Sequence, residues 1–510
     1  MAIWQRAKQV IEPRAHLLPL LFGVAWLVVY WLRFPHNYTI SDPWLYAYHA
    51  HLVAAGTFFK TLSVPNVFAQ RFGVLLPVAL VYALFGVTPE TTALVPLLAG
   101  LTILFVIWRV LPKAAALPGV ICTLTCVPFL RGTTELFPDL IASALMMISV
   151  LMLSRRLDAP DSRSAQLLRA GIGVLAWFAA VLAKETACWA LPVWAGALLV
   201  DAWRRRGPVL KWFHAPALLF GGLLSLGYLW FCAHFFGDAL SRLHGIEELT
   251  GRHTWAIHKP AQLATRLTSG AAHFFWDEYG LLLVAAVPGL LLLRDKLRIW
   301  AFYTATTVLC YWFGSTSLSS YQPLPTSWRM TLPCAPGFCI AAGYSFYWVA
   351  CRVGRWLWAP LYPLLLVSTS ALAVLIMGPK VIAEQRTWRI FPDLDAMALV
   401  KREIQSHPAV HYLLISAEQR TGEFAAAYFG FSPPANVTLV YVGVLDAELL
   451  ARADAALLIV DPRHARHDRN LSYAPQVRAL RLPPLFHRGN VWVFKADDLA
   501  RLGALRARRQ

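Results

Sequence analysis

The sequence predicts a polytopic α-helical membrane protein that ends in a small extracytoplasmic α/β domain. Two observations predict the membrane part: 58% of the 510 residues are hydrophobic and only 15% are charged, and long apolar segments follow one another from Leu17 to Met377. A soluble domain carries about 25% charged residues. A third observation predicts the domain, because the chain after Met377 changes to short alternating segments of strand and helix character.

The apolar segments are roughly as long as a helix must be to cross a hydrocarbon core of about 30 Å, if the shorter ones include flanking residues. The segments cover residues 17–34, 72–87, 91–111, 114–130, 140–153, 170–183, 187–203, 215–236, 279–293, 299–314, 332–350 and 357–377. The first is preceded by basic residues and is not followed by a small-residue cleavage pattern. It is therefore expected to stay in the chain as a span.

Basic residues predict which loops face the cytoplasm. Arg and Lys precede the first segment and cluster after the fifth, seventh, ninth and eleventh. This pattern puts the N-terminus in the cytoplasm and everything after Met377 outside, which requires an odd number of crossings. The segment Phe72 to Val87 is short and contains Pro77. We therefore predict about eleven full spans plus one short or re-entrant segment at 72–87, in an inner (plasma) membrane.

The same loops account for the formal net charge of +18. The positive charge is therefore expected to orient the chain in the lipid bilayer, and nucleic acid is not an expected partner. The eight cysteines lie in or beside apolar segments, which indicates apolar core residues and gives no sign of a disulfide framework.

The region after Met377 predicts a second domain. We divide the chain into a transmembrane domain at 1–380 and an extracytoplasmic α/β domain at 381–510. The predicted strands are His411–Ser416, Val437–Val442, Ala456–Val460 and Val491–Lys495, and the predicted helices are Glu418–Phe429 and Ala447–Ala455. No Gly-rich phosphate loop and no metal-ligand spacing is visible in this region.

The first polar stretch after the first span carries the first candidate for chemistry. Asp42 opens a short aromatic segment there, immediately before Pro43. A carboxylate at this point can meet both lipid and water. The alternative is that Asp42 only caps a helix whose first position is Pro43.

Four further short motifs follow Asp42 along the chain. The first motif consists of Asp42, Tyr46, Ala47 and Ala50. The four that follow it are Arg71–Pro77 continuing to Phe85–Gly86, Glu135 with Pro138–Asp139–Leu140, Lys184–Glu185–Thr186, and Arg329–Pro333 with Pro336. Their order resembles the polyprenyl-phosphate-dependent GT-C glycosyltransferases, in particular the protein mannosyltransferase and aminoarabinose transferase group. The resemblance covers about residues 15 to 350. Many relatives carry Asp-Glu at the first acidic site, whereas Asp42 is followed by Pro43.

The resemblance implies a GT-C-like fold and an enzyme that moves a sugar from a polyprenyl-phosphate donor to a lipid, glycan or protein acceptor outside the cytoplasm. It implies catalytic roles for three acidic residues, Asp42, Glu135 and Asp139. It implies substrate binding by Arg71, Lys184, Glu185, Arg329 and Tyr46.

The chemistry assigns roles within this set. Polyprenyl phosphate is a good leaving group, so it needs little general-acid catalysis. The acceptor hydroxyl is a poor nucleophile and needs a general base. A carboxylate that takes its proton as the hydroxyl attacks implies inversion at the anomeric carbon. Asp42 suits this role. The departing phosphate gathers negative charge, which the planar guanidinium groups of Arg71 and Arg329 can bind through two hydrogen bonds each.

Each assignment has a structural alternative. Arg329 can be an interfacial residue beside Trp328, Asp139 can open a helix after Pro138, and Lys184 with Glu185 can form a solvated hairpin tip. The histidines of the loop 237–278 are irregularly spaced, so a divalent metal ion is left unassigned and no cofactor is predicted with certainty. A transporter or flippase of lipid-linked saccharides is the alternative function, and it predicts internal repeats and broken helices.

Overall fold

The computed structural model describes residues 17–33, 42–61, 66–157, 162–253, 264, 266–317, 321–356, 368, 394–416, 425–440, 454–460, 486–488 and 491–495. The chain divides into two compact units. The first unit comprises Met1–Pro35, Phe59–Pro77 and Ala93–Arg386, and the second comprises His36–Phe58, Val78–Thr92 and Thr387–Gln510. The second unit thus joins the C-terminal region to two stretches of the N-terminal part, and the boundary at 380/381 stays a prediction.

Up to Trp356, the regular elements of the described chain are mainly α-helices. They are α1 Leu18–Arg33, α2 Asp42–Ala54, α3 Phe58–Thr61, α4 Phe72–Phe85, α5 Pro89–Val110, α6 Ala116–Leu124, α7 Val127–Gly132, α8 Pro138–Ser154, α9 Arg163–Ala183, α10 Leu191–Trp203, α11 Gly207–Phe236, α12 Ser241–His253, α13 Ala271–Tyr279, α14 Leu281–Leu292, α15 Arg298–Phe313 and α16 Ala335–Trp356. A 3₁₀ turn at Glu185–Ala190 leads into α10, and a π turn at Leu210–His214 lies within α11.

Several of these helices are long and apolar enough to cross a membrane. Within the described ranges there are four, α5, α9, Glu185–Trp203 and α11, and a fifth if α13 and α14 count as one span. The pair α13 and α14 is bent by 112°. The chain is a multi-pass membrane protein, as its composition predicts. The number of spans stays a prediction, and the twelfth predicted segment, 357–377, lies almost entirely outside the described residues.

Two predicted segments are broken in the structure. The segment 114–130 was expected to be one helix, but it is divided into α6 and α7, and Pro128 stands in the first turn of α7. Proline lacks the N–H that would continue the preceding helix. The segment 279–293 begins at a bend where Gly280 has φ +51°. The segment 72–87 forms the 14-residue α4, about 21 Å long at 1.5 Å per residue, so it is too short to cross the bilayer unaided.

Helix α4 packs closely against the end of α9. A Cβ atom on Gly73 would lie 2.4 Å from the carbonyl oxygen of Ala179 and 2.4 Å from the backbone nitrogen of Ala183. Only glycine therefore allows the two backbones to approach this closely. The contact places Arg71, just before α4, beside Lys184, just after α9.

The second unit contains α2, the helix α17 Leu394–Ser406 and five strands. The strands are β1 Tyr412–Ser416, β2 Val437–Val440, β3 Ala455–Val460, β4 Phe486–Arg488 and β5 Val491–Lys495, in the sheet order β2-β1-β3-β5-β4. The first three are parallel, and β5 is antiparallel to both β3 and β4. Four of these strands lie where the sequence predicts strands. The two predicted helices lie mostly outside the described residues, and the α/β domain as a whole stays a prediction.

Within this unit, α2 is tied to the C-terminal region by one aromatic side chain. The ring of Phe431 lies 5.9 Å from the ring of Trp44, 5.6 Å from that of Tyr48 and 5.5 Å from that of His51, between centroids. Phe431 adopts φ +60°, a left-handed conformation that a bulky residue rarely holds. The contacts with the three rings favour this strained backbone.

This arrangement predicts an unusual order of stability for two substitutions. Both Phe431→Gly and Phe431→Ala remove the ring contacts, but only glycine relieves the left-handed backbone, which costs other residues about 1 kcal/mol. We therefore expect the Ala protein to be less stable than the Gly protein, and both to be less stable than the natural protein. Urea unfolding of the detergent-solubilised full chain measures the order. If Ala is at least as stable as Gly, the strain assigned to Phe431 does not exist.

Candidate functional site

A shared carboxylate joins three distant segments of the first unit. Glu185 accepts a hydrogen bond from Arg71 Nη2 on Oε1 at 2.8 Å and one from Arg242 Nη2 on Oε2 at 3.1 Å. Both arginine side chains are buried, at 8% and 7% exposure, whereas the Glu185 side chain is 28% exposed. Ser241, next to Arg242, also donates to Gln70 Oε1 at 3.2 Å. We call Arg71, Glu185 and Arg242 the arginine clamp.

A second ion pair lies next to the clamp. Lys184 Nζ donates to Asp139 Oδ1, and both side chains are buried, at 3% and 1% exposure. Asp139 stands in the first turn of α8, directly after Pro138, and its Oδ2 has no hydrogen-bond partner among the described residues. Burial lowers the pKa of Lys184; the charges of Arg71 and Arg329 lower it further, and the carboxylate of Asp139 opposes the shift. The four side chains therefore share one electrostatic environment.

A third group holds Arg329 by its aromatic neighbours. The Arg329 guanidinium lies 4.9 Å from the ring centroid of Phe137, and Phe137 meets Trp328 edge to face at 5.8 Å. The guanidinium of Arg131 lies 3.9 Å from the ring centroid of Trp328, and its Nε lies 4.0 Å from Glu135 Oε1. Glu135 is 2% exposed. The predicted Arg329 and Glu135 are thus both fixed within the first unit.

Asp42 and Tyr46 lie in the second unit, on α2. Asp42 occupies the first turn of the helix and is half-buried, whereas Tyr46 is fully buried. Burial lowers the pKa of His49 to about 4 and also lowers that of His51. Both rings are therefore neutral near pH 7, and Asp42 is the carboxylate of this helix. Tyr46 is fully buried in this unit, and its part in substrate binding stays a prediction.

Arg242 is the site residue that the sequence analysis missed. It lies in the loop 237–278, which the charge pattern places outside the cytoplasm, where basic residues are depleted. Arg242 is one of four basic residues in this loop, with Arg252, Lys259 and Arg266, so its charge alone did not single it out. No local motif marked it, because its partners Arg71 and Glu185 are distant in the sequence.

The clamp retains unused hydrogen-bond donors. Arg242 Nε and Nη1 are buried and make no hydrogen bond of normal geometry within the described ranges, and the Tyr228 hydroxyl lies close enough to interact with this guanidinium. Arg71 and Arg242 pair with Glu185, Lys184 pairs with Asp139, and Arg329 lies within electrostatic reach of Lys184, so four cations share this region with two carboxylates. The excess of positive charge and the unused N–H groups suit a phosphate.

The described residues do not assemble a metal site. No three His, Cys, Asp or Glu side chains converge closely enough there to hold an ion. His258, one of the loop histidines considered from the sequence, lies outside the described residues.

The chain is similar in structure to solved membrane proteins. No family model and no curated protein matches the sequence. ArnT from Cupriavidus metallidurans, solved with undecaprenyl phosphate, matches with a TM-score of 0.55 and 13% identity over 93% of this chain and 97% of the other. The oligosaccharyltransferase AglB from Archaeoglobus fulgidus, solved with an inhibitory peptide and a dolichol-phosphate, matches with a TM-score of 0.51 and 13% identity over 81% of this chain and 63% of the other.

A further structure of the Archaeoglobus fulgidus oligosaccharyltransferase, tethered to an acceptor peptide with the NVT sequon, matches with a TM-score of 0.53 and 14% identity over 91% of this chain and 70% of that one. Both matched proteins were thus solved with a polyprenyl phosphate, undecaprenyl phosphate in ArnT and dolichol-phosphate in AglB. At this identity the likeness shows the fold. The resemblance found in the motifs is thus confirmed at the level of the GT-C fold.

Proposed function

We propose that the protein is an integral-membrane glycosyltransferase that moves a sugar from a polyprenyl-phosphate donor to an acceptor outside the cytoplasm. The observation that carries the proposal is the arginine clamp, in which Arg242 has two buried N–H groups that make no hydrogen bond of normal geometry within the described ranges, in a chain with the fold of such enzymes. A buried guanidinium with free donors is costly unless a ligand satisfies it. A lipid-linked phosphate has the charge and the oxygen atoms to do so.

The clamp would act on the leaving group. The acceptor oxygen attacks the anomeric carbon, the bond between that carbon and the phosphate oxygen breaks, and polyprenyl monophosphate departs with the electron pair. Arg242 and Arg71 would stabilise the charge that develops on the phosphate. Arg329 and Lys184 would add positive charge to the same environment, and Glu185 would hold the two guanidinium groups in position.

The proton of the acceptor hydroxyl needs a base. Asp139 is committed to Lys184 and is almost fully buried, and Glu135 is buried next to Arg131. Asp42 is only half-buried at a helix start. We therefore propose Asp42 as the general base, with inversion at the anomeric carbon, and assign Asp139 to the positioning of Lys184.

The acceptor is proposed only by class: a lipid, a glycan or a protein on the outer side of an inner (plasma) membrane. The N-terminus would be cytoplasmic and the C-terminal region extracytoplasmic, following the basic loops. One observation favours the alternative of a transporter or flippase, since α13 and α14 form a broken helix of the kind that transporters use. The clamp favours the enzyme, because Glu185 is the first residue of the candidate span Glu185–Trp203 and the clamp therefore lies at the end of a span and not near its middle.

The clamp predicts a defect in donor binding. Arg242→Gln removes a charge-assisted contact worth about 1.5 to 3 kcal/mol, so binding of polyprenyl monophosphate should weaken by about tenfold to a hundredfold. Arg242→Lys should retain part of the affinity. Titration of the purified proteins with the lipid measures both.

The control is Arg298→Gln, which removes an exposed arginine at the start of α15. The control should bind the lipid like the natural protein. Normal affinity in a folded Arg242→Gln protein would remove the clamp from donor binding and leave Arg329 as the next candidate.

A further inference from the structure

Three helices form an apolar groove whose lining contains no residue of the clamp. Helices α9, α10 and α11 enclose a volume of about 420 Å³, lined mainly by apolar side chains such as Val174, Trp177 and Trp194. Two adjacent glycines of α11, Gly221 and Gly222, also line it. A Cβ atom on Gly222 would have no neighbour within 4 Å, so the space beside this residue is empty of protein.

The groove opens towards the hydrocarbon of the bilayer. The three helices are candidate spans, and only 33%, 33% and 11% of their apolar windows are buried inside the protein. On α11, Leu218 and Leu219 next to the groove are 64% and 67% exposed. A groove on such a surface suits a hydrocarbon chain better than water, because an apolar lining offers water few hydrogen-bond partners.

One end of the groove is polar and basic. His214 lines that end, and its Nε2 lies 3.0 Å from Oδ2 of the fully buried Asp201. Asp201 also accepts hydrogen bonds from Arg156 Nε and from Arg206 Nη1, the latter at 3.1 Å. Each oxygen of the carboxylate therefore accepts a hydrogen bond from one of these arginines, which neutralise its charge.

Two further cations at this end are more accessible. Arg163 and Lys211 are exposed and lie on the ring of Trp212, at 4.8 Å and 5.1 Å from its centroid. With Arg156 and Arg206 they make four cations against the single carboxylate of Asp201. An indole in contact with two cations at the end of a span is typical of the membrane–water interface, where basic residues meet lipid headgroups.

We propose that this groove binds one acyl chain of an anionic phospholipid, whose phosphate lies against Arg163 and Lys211. The charge excess selects an anionic headgroup over a zwitterionic one. The basic loops predict that this end faces the cytoplasm, so the lipid comes from the inner leaflet. The site does not depend on the proposed glycosyl transfer.

The length of α9 separates this site from the clamp. Arg163 begins the 21-residue helix and Lys184 follows its end, so the two groups lie about 30 Å apart along the axis. One lipid phosphate cannot contact both ends. The donor lipid and the proposed phospholipid are therefore different molecules at opposite membrane surfaces.

Competition between lipids tests the site on the purified full chain. Native mass spectrometry counts retained lipid after incubation with phosphatidylglycerol, phosphatidylcholine or undecaprenyl phosphate. We expect the natural protein to retain phosphatidylglycerol in preference to phosphatidylcholine. The double variant Arg163→Gln/Lys211→Gln should lose that preference by roughly tenfold or more.

A pair of glycine variants tests the groove itself. Gly222→Leu fills the empty space and should reduce retention of phosphatidylglycerol. Gly227→Leu is the matched control, because Gly227 lies on the same helix, does not line the groove and also has no neighbour within 4 Å of a Cβ atom. It should retain the lipid.

Three results would overturn the proposal. They are equal retention of the two phospholipids by the natural protein, an unchanged preference in the double charge variant, and displacement of phosphatidylglycerol by undecaprenyl phosphate, which would assign the groove to the donor. If Gly222→Leu does not fold, the charge variant and the competition still decide.

Discussion

We expect the Asp42→Asn protein to bind the polyprenyl-phosphate donor normally and to transfer sugar about 10² to 10⁴ times more slowly. An amide has almost the same size as the carboxylate and can still cap α2 before Pro43, so the helix should form. It cannot accept a proton from the acceptor hydroxyl. The measurement is sugar transfer by the purified variant, with donor binding determined on the same preparation.

Asp238→Asn is the control for this variant. Asp238 is an exposed carboxylate of the same predicted outer side, paired with His244 at 2.7 Å. Its loss should leave transfer unchanged. If Asp42→Asn transfers sugar within about threefold of the natural protein, where loss of a base costs at least 10², Asp42 is only a cap. Glu135 and Asp139 are then the next carboxylates to test.

The second large effect is expected on stability, from the buried pair of Asp139 and Lys184. Asp139→Asn leaves a lysine of 3% exposure without its counter-charge, and breaking a buried pair in this way costs about 3 to 5 kcal/mol. Replacing both partners, as Asp139→Leu/Lys184→Met, removes the uncompensated charge and should restore most of the stability. Urea unfolding of the natural protein, Asp139→Leu, Lys184→Met and the double variant forms a double-mutant cycle, and Asp139→Asn is measured beside these four proteins.

The loss in Asp139→Asn should depend on pH. Burial already lowers the pKa of Lys184, and the variant removes the carboxylate that opposes this shift. The unfolded chain then binds more protons than the folded one between the lowered pKa and the ordinary value of 10.5, so stability rises with pH across that window. The deficit should shrink between pH 7 and pH 9. A small, pH-independent deficit would mean that the pair is not a coupled buried ion pair.

The sequence predicted the membrane class and the positions of most helices, because apolar length and basic loops are local signals. It also predicted four strands of the second unit from alternation and β-branched runs. It did not predict α17, although Met397, Val400 and Ile404 are buried at helical spacing in the structure. It also missed the division of 114–130, where Pro128 was the local sign.

The candidate site shows more clearly that local sequence patterns do not reveal contacts between distant segments. Lys184–Glu185 and Pro138–Asp139 were marked as short motifs, but nothing local says that Lys184 pairs with Asp139 and Glu185 with two arginines. These partners are 45, 57 and 114 positions apart. Packing of α4 on α9 at Gly73 and the position of α12 bring them together. Arg242 could not be assigned to a role before that packing was known.

The most direct measurement of the central claim is mass spectrometry of envelope lipids and glycans from the source cells with and without the gene. A glycosyltransferase that uses a polyprenyl-phosphate donor predicts two linked changes when the gene is lost. One envelope molecule lacks a single sugar, and the polyprenyl monophosphate that carries this sugar accumulates. Unchanged lipids and glycans, or accumulation of a larger lipid-linked saccharide without a polyprenyl-monophosphate sugar, would contradict the account, and the latter would favour the flippase.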